Sequence, residues 1–291
     1  MYLPVKATIA TLVVLLLITL SLTRLAPPGD PASEKTTKQQ SSMIQKISPQ
    51  PALTITYKPI HSPDDIEALT PPLIKPVAYT RVSTLAALEV STKKQKFFDM
   101  ILPAVLISKQ RLLAKRIKLA EINAMPTPDE KAQAWLQKQF KLYKAKDTTQ
   151  LKSKLADHPT SIILAQAALE TGWGTSRFFL EGNNIFGVWS FSAKEPRMRA
   201  SQTREGKPIY VKRYSSLIEA VDDYFVTIAR GGPYRQFRKA RSQTRDALEL
   251  IKYLNYYSEI GDEYVQRLRS IITRNKMLRF DSYQLQTADA I

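Results

Sequence analysis

The segment Thr160–Phe191, TSIILAQAALETGWGTSRFFLEGNNIFGVWSF, constrains this chain more than any other stretch. It opens as a nearly uncharged helix in which Glu170 is the sole ionisable side chain. Ile163, Ala167 and Glu170 fall at i, i+4 and i+7, so the carboxyl group shares a face with aliphatic residues that must be buried. Gly172 and Gly174 end the helix just beyond, which puts Glu170 in the last turn, where the negative end of the helix dipole opposes a carboxylate. Burial, dipole and the neighbouring Trp173 all act to raise its pKa. A carboxylic acid kept protonated near neutral pH is what glycosidic cleavage requires, because the leaving sugar oxygen takes up a proton as the bond breaks. Trp173, Phe178, Phe179, Phe186 and Trp189 follow closely, with the amides Asn183 and Asn184 among them. Rings stack on sugar faces and amides bond to hydroxyl and acetamido groups. Aromatic core packing is the competing explanation for some of these rings, Phe178 and Phe179 above all.

Around this segment the chain reads as mainly helical. Phe98, Val105, Leu112 and Leu119 recur every seven residues along a long helix that contains Pro103. Thr127-Pro128-Asp129-Glu130 announces a second helix with Thr127 as its N-cap, and Ser216-Leu217-Ile218-Glu219 is a capping box that opens a third. Further helical runs surround Ala247–Leu254 and the stripe Tyr264, Leu268, Ile272. Between Phe186 and Arg213 the helical period fails, and the alternation around Ile209 and Val211 with turns at Gly187 and Gly206-Lys207-Pro208 predicts a small β lobe.

The N-terminus is different in kind. Residues 7–23 are uncharged and rich in Leu, Val and Ile, with Lys6 before and Arg24 after, and the flank lacks a small-residue cleavage site. The expectation is a retained signal anchor, with the body of the protein on the far side of an inner membrane, in a periplasm. Pro27 to about Pro76 is rich in Pro, Ser, Thr, Gln and Lys, which reads as a linker. The expected organisation is therefore residues 1–25 as anchor or signal peptide, 26–91 as linker and 92–285 as the folded domain.

The 43 Lys and Arg against 26 Asp and Glu give a formal charge of +17 and favour an acidic partner. The run Arg235, Arg238, Lys239, Arg241, Arg245 suggests nucleic acid, but the export segment argues against that, and a solvated basic face is the commoner meaning. With no cysteine and two histidines, the chain has no thiol nucleophile and no Cys/His zinc set. His158, next to Pro159, reads as loop chemistry rather than as part of a Ser-His-Asp triad.

Ala168-Leu169-Glu170-Thr171-Gly172-Trp173-Gly174 and Gly182-Asn183-Asn184-Ile185-Phe186-Gly187 closely resemble two motifs of the glycoside hydrolase family 73 glucosaminidases. The likeness continues at Tyr214-Ser215-Ser216-Leu217-Ile218-Glu219-Ala220 and at Tyr257–Ile271, covering about Pro159 to Phe280. Lys96–Pro103 and Tyr234–Arg238 resemble the Bax-like members specifically. The resemblance implies an α+β, mainly α, lysozyme-like domain with a small β lobe, cleaving the β-1,4 bond after N-acetylglucosamine in peptidoglycan glycan strands. It implies Glu170 as general acid, Tyr257 as a cleft tyrosine supporting the transition state, and a water-activating carboxylate on the β lobe. Glu205 is placed most like that last residue, with Glu195 and Glu181 as the other candidates. Trp173, Asn183, Asn184, Phe186, Trp189 and Tyr214 are expected to line the substrate cleft. No metal or organic cofactor is implied, and the expected state is a monomer. A lytic transglycosylase on the same fold and a non-catalytic wall-binding anchor are the rival readings.

Overall fold

The computed structural model describes residues 53–204 and 206–286. Residues 7–23, expected to be a membrane segment, and Glu205 lie outside the described residues. Among the described residues no helix is long and apolar enough to cross a membrane.

The helix that the sequence singles out, α4 (Thr160–Thr171), lies at the centre of the fold, with Ser161 to Ala168 buried without a break. A helix apolar on all sides has no solvent face to offer, and this one is enclosed by others. Preceding it are α1 (Val90–Asn123), α2 (Glu130–Tyr143) and α3 (Thr148–Lys154). After it come α5 (Arg177–Gly182), α6 (Leu217–Arg230), α7 (Arg235–Ala240), α8 (Ala247–Leu250) and α9 (Asp262–Arg274). α4 packs against α1, α9 and a short 3-10 segment, Met277–Ser282, while α1 also supports α6. Ser161 at the head of α4 donates from its backbone N–H and its hydroxyl to the two oxygens of Asp281, at 2.7 and 2.8 Å, so that carboxylate occupies the positive end of the helix. Pro103 sits inside α1 without ending it, and the cap of α2 is Asp129, not Thr127: its side chain accepts from the Ala132 N–H. Ser216 caps α6 as expected, accepting from the Glu219 N–H while Glu219 accepts from the Ser215 N–H.

The β lobe is a hairpin, β4 (Arg197–Arg204) against β5 (Lys207–Lys212), with Trp189 bridged to Val211. The chain upstream of α1 departs from expectation. Residues 53–89, assigned to a linker, carry β1 (Thr56–Pro59), β2 (Leu73–Ile74) and β3 (Val77–Arg81). β1 pairs parallel with β3, and β2 pairs parallel with β6 (Gln284–Leu285) at the other end of the domain. Ile60, Ile66, Ile74, Val77, Ala78, Tyr79, Val82 and Leu85 are all buried in the common core. Strands this short, separated by prolines, leave too few consecutive residues for an alternation to show in the sequence.

Candidate active site

The close of α4 shapes the site. Gly172 takes a left-handed conformation, φ +57°, and the Trp173 N–H returns to the Ala168 carbonyl at 2.9 Å, a Schellman-type end that satisfies the last carbonyls. Gly174, at φ +83°, takes a backbone conformation that strains any other residue, and a β-carbon there would stand a tight 3.3 Å from Leu85 and 3.4 Å from Phe97. The Trp173 ring is drawn the same way. It packs edge-on against Phe97 and Phe98 of α1, centroids 5.5 and 5.6 Å apart, with Lys94 Nζ 4.9 Å from its centroid. It therefore pins the end of α4 to α1 and is absent from the groove wall, contrary to expectation.

Glu170 points the other way and is half-buried. Its Oε1 accepts a hydrogen bond from the Tyr264 hydroxyl at 2.9 Å. Its Oε2 faces Gly187, where a β-carbon would lie 4.0 Å away. A glycine at φ +63° keeps the approach to that oxygen open. Burial raises the carboxyl's pKa above the ordinary glutamate value and the Tyr264 hydrogen bond opposes that only in part. Tyr257 stacks on Tyr264 with centroids 5.3 Å apart and planes 15° from parallel, and Tyr234 stands 6.0 Å from Tyr257. Burial, with Glu170 nearby, pushes the Tyr234 hydroxyl above its usual pKa, and Tyr257 is raised in the same way, first by burial and then by Tyr264 and Glu170.

An open groove of about 750 Å³ leads away from this cluster, lined by Phe186, Gly187, Trp189, Phe191, Tyr234 and Tyr257 among others. Phe186 is stacked on Tyr224 at 4.3 Å and is almost fully buried. Trp189 is 38% exposed, with the Arg204 guanidinium 5.6 Å from its ring centroid, and Phe191 is 87% exposed, so both rings are accessible from the groove. The two asparagines do not. Asn183 donates from Nδ2 to the carbonyls of Thr80 and Tyr214, while Asn184 donates to Val188 and Lys212 and accepts from the Val188 N–H. Both are buried braces that hold the 183–188 loop to β5 and to β3, not sugar contacts. Tyr214 is likewise committed, its hydroxyl donating to Asp223 Oδ2 at 2.7 Å, and it lines an adjoining depression with Lys115 and Leu142.

Of the other carboxylates weighed from sequence, Glu181 is exposed and lies 3.5 Å from Arg177. Glu195 reaches the groove but accepts from the Ser190 hydroxyl at 2.7 Å and lies 3.8 Å from Lys212, and these contacts, the hydrogen bond foremost, lower its pKa. Lys212 also pairs with Asp223 at 2.9 Å. The groove thus has one wall of neutral hydroxyls around Glu170 and another of ion pairs around Lys212. Tyr264, whose contact with Glu170 is the most direct in the site, is the residue that sequence reasoning missed; its i, i+4, i+8 relation to Leu268 and Ile272 marks it only as core.

Comparison with known proteins bears on this geometry. Residues 146–277 match the family model for mannosyl-glycoprotein endo-beta-N-acetylglucosaminidase. Protein bax of Escherichia coli (strain K12) is 31% identical over 126 residues, covering 41% of this chain and 44% of that protein. The peptidoglycan hydrolase FlgJ of Salmonella typhimurium is 30% identical over 139 residues, covering 44% of this chain and 43% of that one. The match thus takes in less than half the length of either relative. The solved glycoside hydrolase domain of Salmonella typhimurium FlgJ aligns at 29% identity over 48% of this chain and 85% of that domain, with a TM-score of 0.33. Glu170, Gly187, Tyr257 and Tyr264 all fall inside the matched range, and residues 146–277 are a domain of the glucosaminidase family.

Proposed function

We propose that this protein hydrolyses the glycan strands of peptidoglycan as an endo-β-N-acetylglucosaminidase, with Glu170 as general acid. The observation that carries this reading is a carboxyl with its pKa raised by burial, held through one oxygen by Tyr264 and open through the other at the end of a groove with exposed rings. The acid donates its proton to the glycosidic oxygen as the bond to the leaving sugar breaks. In this reading Tyr257, on the groove wall beside Tyr264, supports the sugar whose anomeric carbon gains charge. Trp189 and Phe191 supply stacking faces farther along the groove. Glu205 is the proposed water-activating base. The peptidoglycan hydrolase named among the relatives supports the substrate class, and the apolar N-terminal stretch supports a tether that presents the domain to the cell wall from an inner membrane.

A second reading has its own observation. Glu195 and Asp223, two described carboxylates that line the groove, are both engaged with Lys212. That favours chemistry in which the substrate supplies the second nucleophile, either its acetamido oxygen or, in a lytic transglycosylase, its own hydroxyl. Digestion of purified peptidoglycan by the full chain, wild type beside Glu170→Gln, with mass spectrometry of the fragments, separates these outcomes. Reducing N-acetylglucosamine ends that disappear in the variant support the hydrolase. Anhydro ends move the protein to the transglycosylases, and a folded wild type that releases nothing leaves a wall-binding protein.

A further inference from the structure

A chain of hydrogen bonds runs beneath the site from one end of α4 to the other. His158 Nε2 lies 2.8 Å from the Tyr224 hydroxyl, which donates to Gln166 Oε1 at 2.7 Å. Gln166 Nε2 donates to the Tyr264 hydroxyl at 3.2 Å, and Tyr264 donates to Glu170 Oε1 at 2.9 Å. His158 and Gln166 are completely buried, and Tyr224 and Tyr264 nearly so.

Each hydroxyl in such a chain has one proton to give, so the direction of one link sets the direction of the rest. Two polarities are possible. In one, His158 is protonated at Nε2, every donor points towards Glu170, and Oε1 only accepts. In the other, Glu170 donates from Oε1 to Tyr264, the Gln166 amide is turned over, Tyr224 donates to His158, and the imidazole proton sits on Nδ1. Nδ1 is buried and has no partner. A buried N–H without an acceptor is rarer and costlier than an acceptor left without a donor, so the second polarity is the poorer one. The ring stays neutral in either case: burial and then the Arg241 charge hold His158 well below its ordinary pKa, against the opposing pull of Asp157.

We propose that Gln166 is a positioning residue for the acid. By fixing which way the Tyr264 hydroxyl points, it commits Oε1 of Glu170 to accepting and leaves Oε2, on the Gly187 side, to carry the catalytic proton. The inference rests on Glu170 being the acid of the reading above. Without Gln166, a protonated Glu170 turns its O–H inward to Tyr264, and the proton is held on the wrong side of the carboxyl.

The groups that face Glu170 are Tyr264 from α9, Tyr257 from the 3-10 segment Ile251–Tyr257 that precedes α9, and Tyr234 from the start of α7. Those that act on His158 are Asp157, Lys109, Arg241, Arg245 and Tyr224. None of the charged ones lies between Gln166 and Glu170, so a change at residue 166 reads out through Tyr264.

The test uses the full chain as wild type, Gln166→Met and Tyr224→Phe, with two readouts: the Glu170 carboxyl titration by carbon-13 NMR, assigned with Glu170→Gln, and the pH profile of peptidoglycan digestion. In Gln166→Met the Tyr264 hydroxyl is free to accept from protonated Glu170. The carboxyl then titrates about half a unit to one unit higher, the size expected for one net hydrogen bond. The basic limb of the profile moves up with it, and kcat falls about three- to tenfold with KM unchanged. Tyr224→Phe frees the amide to turn over and shifts both readouts in the same direction by less. A lower melting temperature with loss at every pH, and an unmoved Glu170 titration, would mean that Gln166 is only a packing residue and would overturn the proposal. A wild type that releases no fragments defeats the hydrolase reading; the carboxyl titration still decides whether residue 166 governs the Tyr264 bond.

Discussion

The two ends of α4 present the same problem and solve it oppositely. Asp157, just before the helix, and Glu170, in its last turn, are both half-buried carboxyl groups. Burial raises the pKa of either one. At Asp157 that effect is outweighed by Lys109, 3.1 Å away, and by Arg245, which approaches both carboxylate oxygens at 2.9 and 3.2 Å, and the pKa falls to about 2. At Glu170 the sole opposing contact is one tyrosine hydroxyl, and the pKa rises. The helix dipole widens the gap, favouring charge at the first end and opposing it at the second. In a chain with 43 lysines and arginines, Glu170 keeps a raised pKa because its burial is opposed by one tyrosine hydroxyl and not, as at Asp157, by cations in contact with it.

The most drastic way to break the contrast is to remove the proton. Glu170→Gln keeps the shape and the Tyr264 contact, and peptidoglycan fragment release is expected to fall about 10²- to 10⁴-fold. The same variant is expected to be more stable than wild type at neutral pH. Because the folded-state pKa of Glu170 lies above its unfolded value, its favourable contribution is present below the unfolded pKa and lost as pH rises through the folded one. The variant's melting temperature should therefore exceed that of wild type at pH 7, and the two should converge below about pH 4. A melting temperature that drops at pH 7 would show that the carboxylate is held by favourable contacts and is not the strained group inferred from its burial.

A milder variant brings to Glu170 what Asp157 already has. Tyr234 lies on the groove wall close enough for Glu170 to act on its hydroxyl. In Tyr234→Lys the new ammonium should stabilise the Glu170 carboxylate and move the basic limb of the pH–activity profile down by about one unit, the lower end of what a neighbouring opposite charge produces. At pH 7 this reads as up to about a tenfold loss that is recovered in more acidic buffer. A loss of equal size at every pH would point instead to the missing ring.

How much of this was legible depends on what a period can say. Glu170 stood out because it is the lone ionisable group in an apolar helix, and the structure keeps it at the edge of the core. The β lobe showed where the helical period failed. But periodicity tells which face of an element is buried, not where the polar tip of a buried side chain ends. Tyr264 read as core, and it is core; its hydroxyl meets Glu170 across 94 positions of sequence by way of the α4–α9 packing. Asn183 and Asn184 read as ligand contacts because amides beside aromatics suit a sugar, yet their partners are carbonyls and an N–H brought close by strand pairing. The basic run was read as a solvated face. Arg238 instead bonds to the carbonyls of Ile228 and Gly231, Arg241 is buried against those of Ser153 and Lys154, and Arg245 clamps Asp157. Composition counts such residues as charge; the fold uses these three as braces.

The gentlest test loosens one of those braces. In Arg245→Ala, Asp157 keeps Lys109 but loses its two-pronged partner. The folded-state pKa of Asp157 is depressed, so its stabilising contribution is present above the unfolded value of 3.8 and is lost as pH falls through about 2. The Arg245 side chain is 55% exposed, so solvent screens much of the interaction, and the expected loss at pH 7 is about 1 kcal/mol. Urea unfolding at pH 7 and again near pH 2 measures it: the gap between variant and wild type should narrow as Asp157 takes up its proton, and it should shrink in high salt. A gap that stays constant between the two pH values would assign the loss to the hydrogen bond from Arg245 to the Asp157 carbonyl and to packing. The Arg245 charge would then contribute little at this end of α4, and the contrast with Glu170 would rest on Lys109.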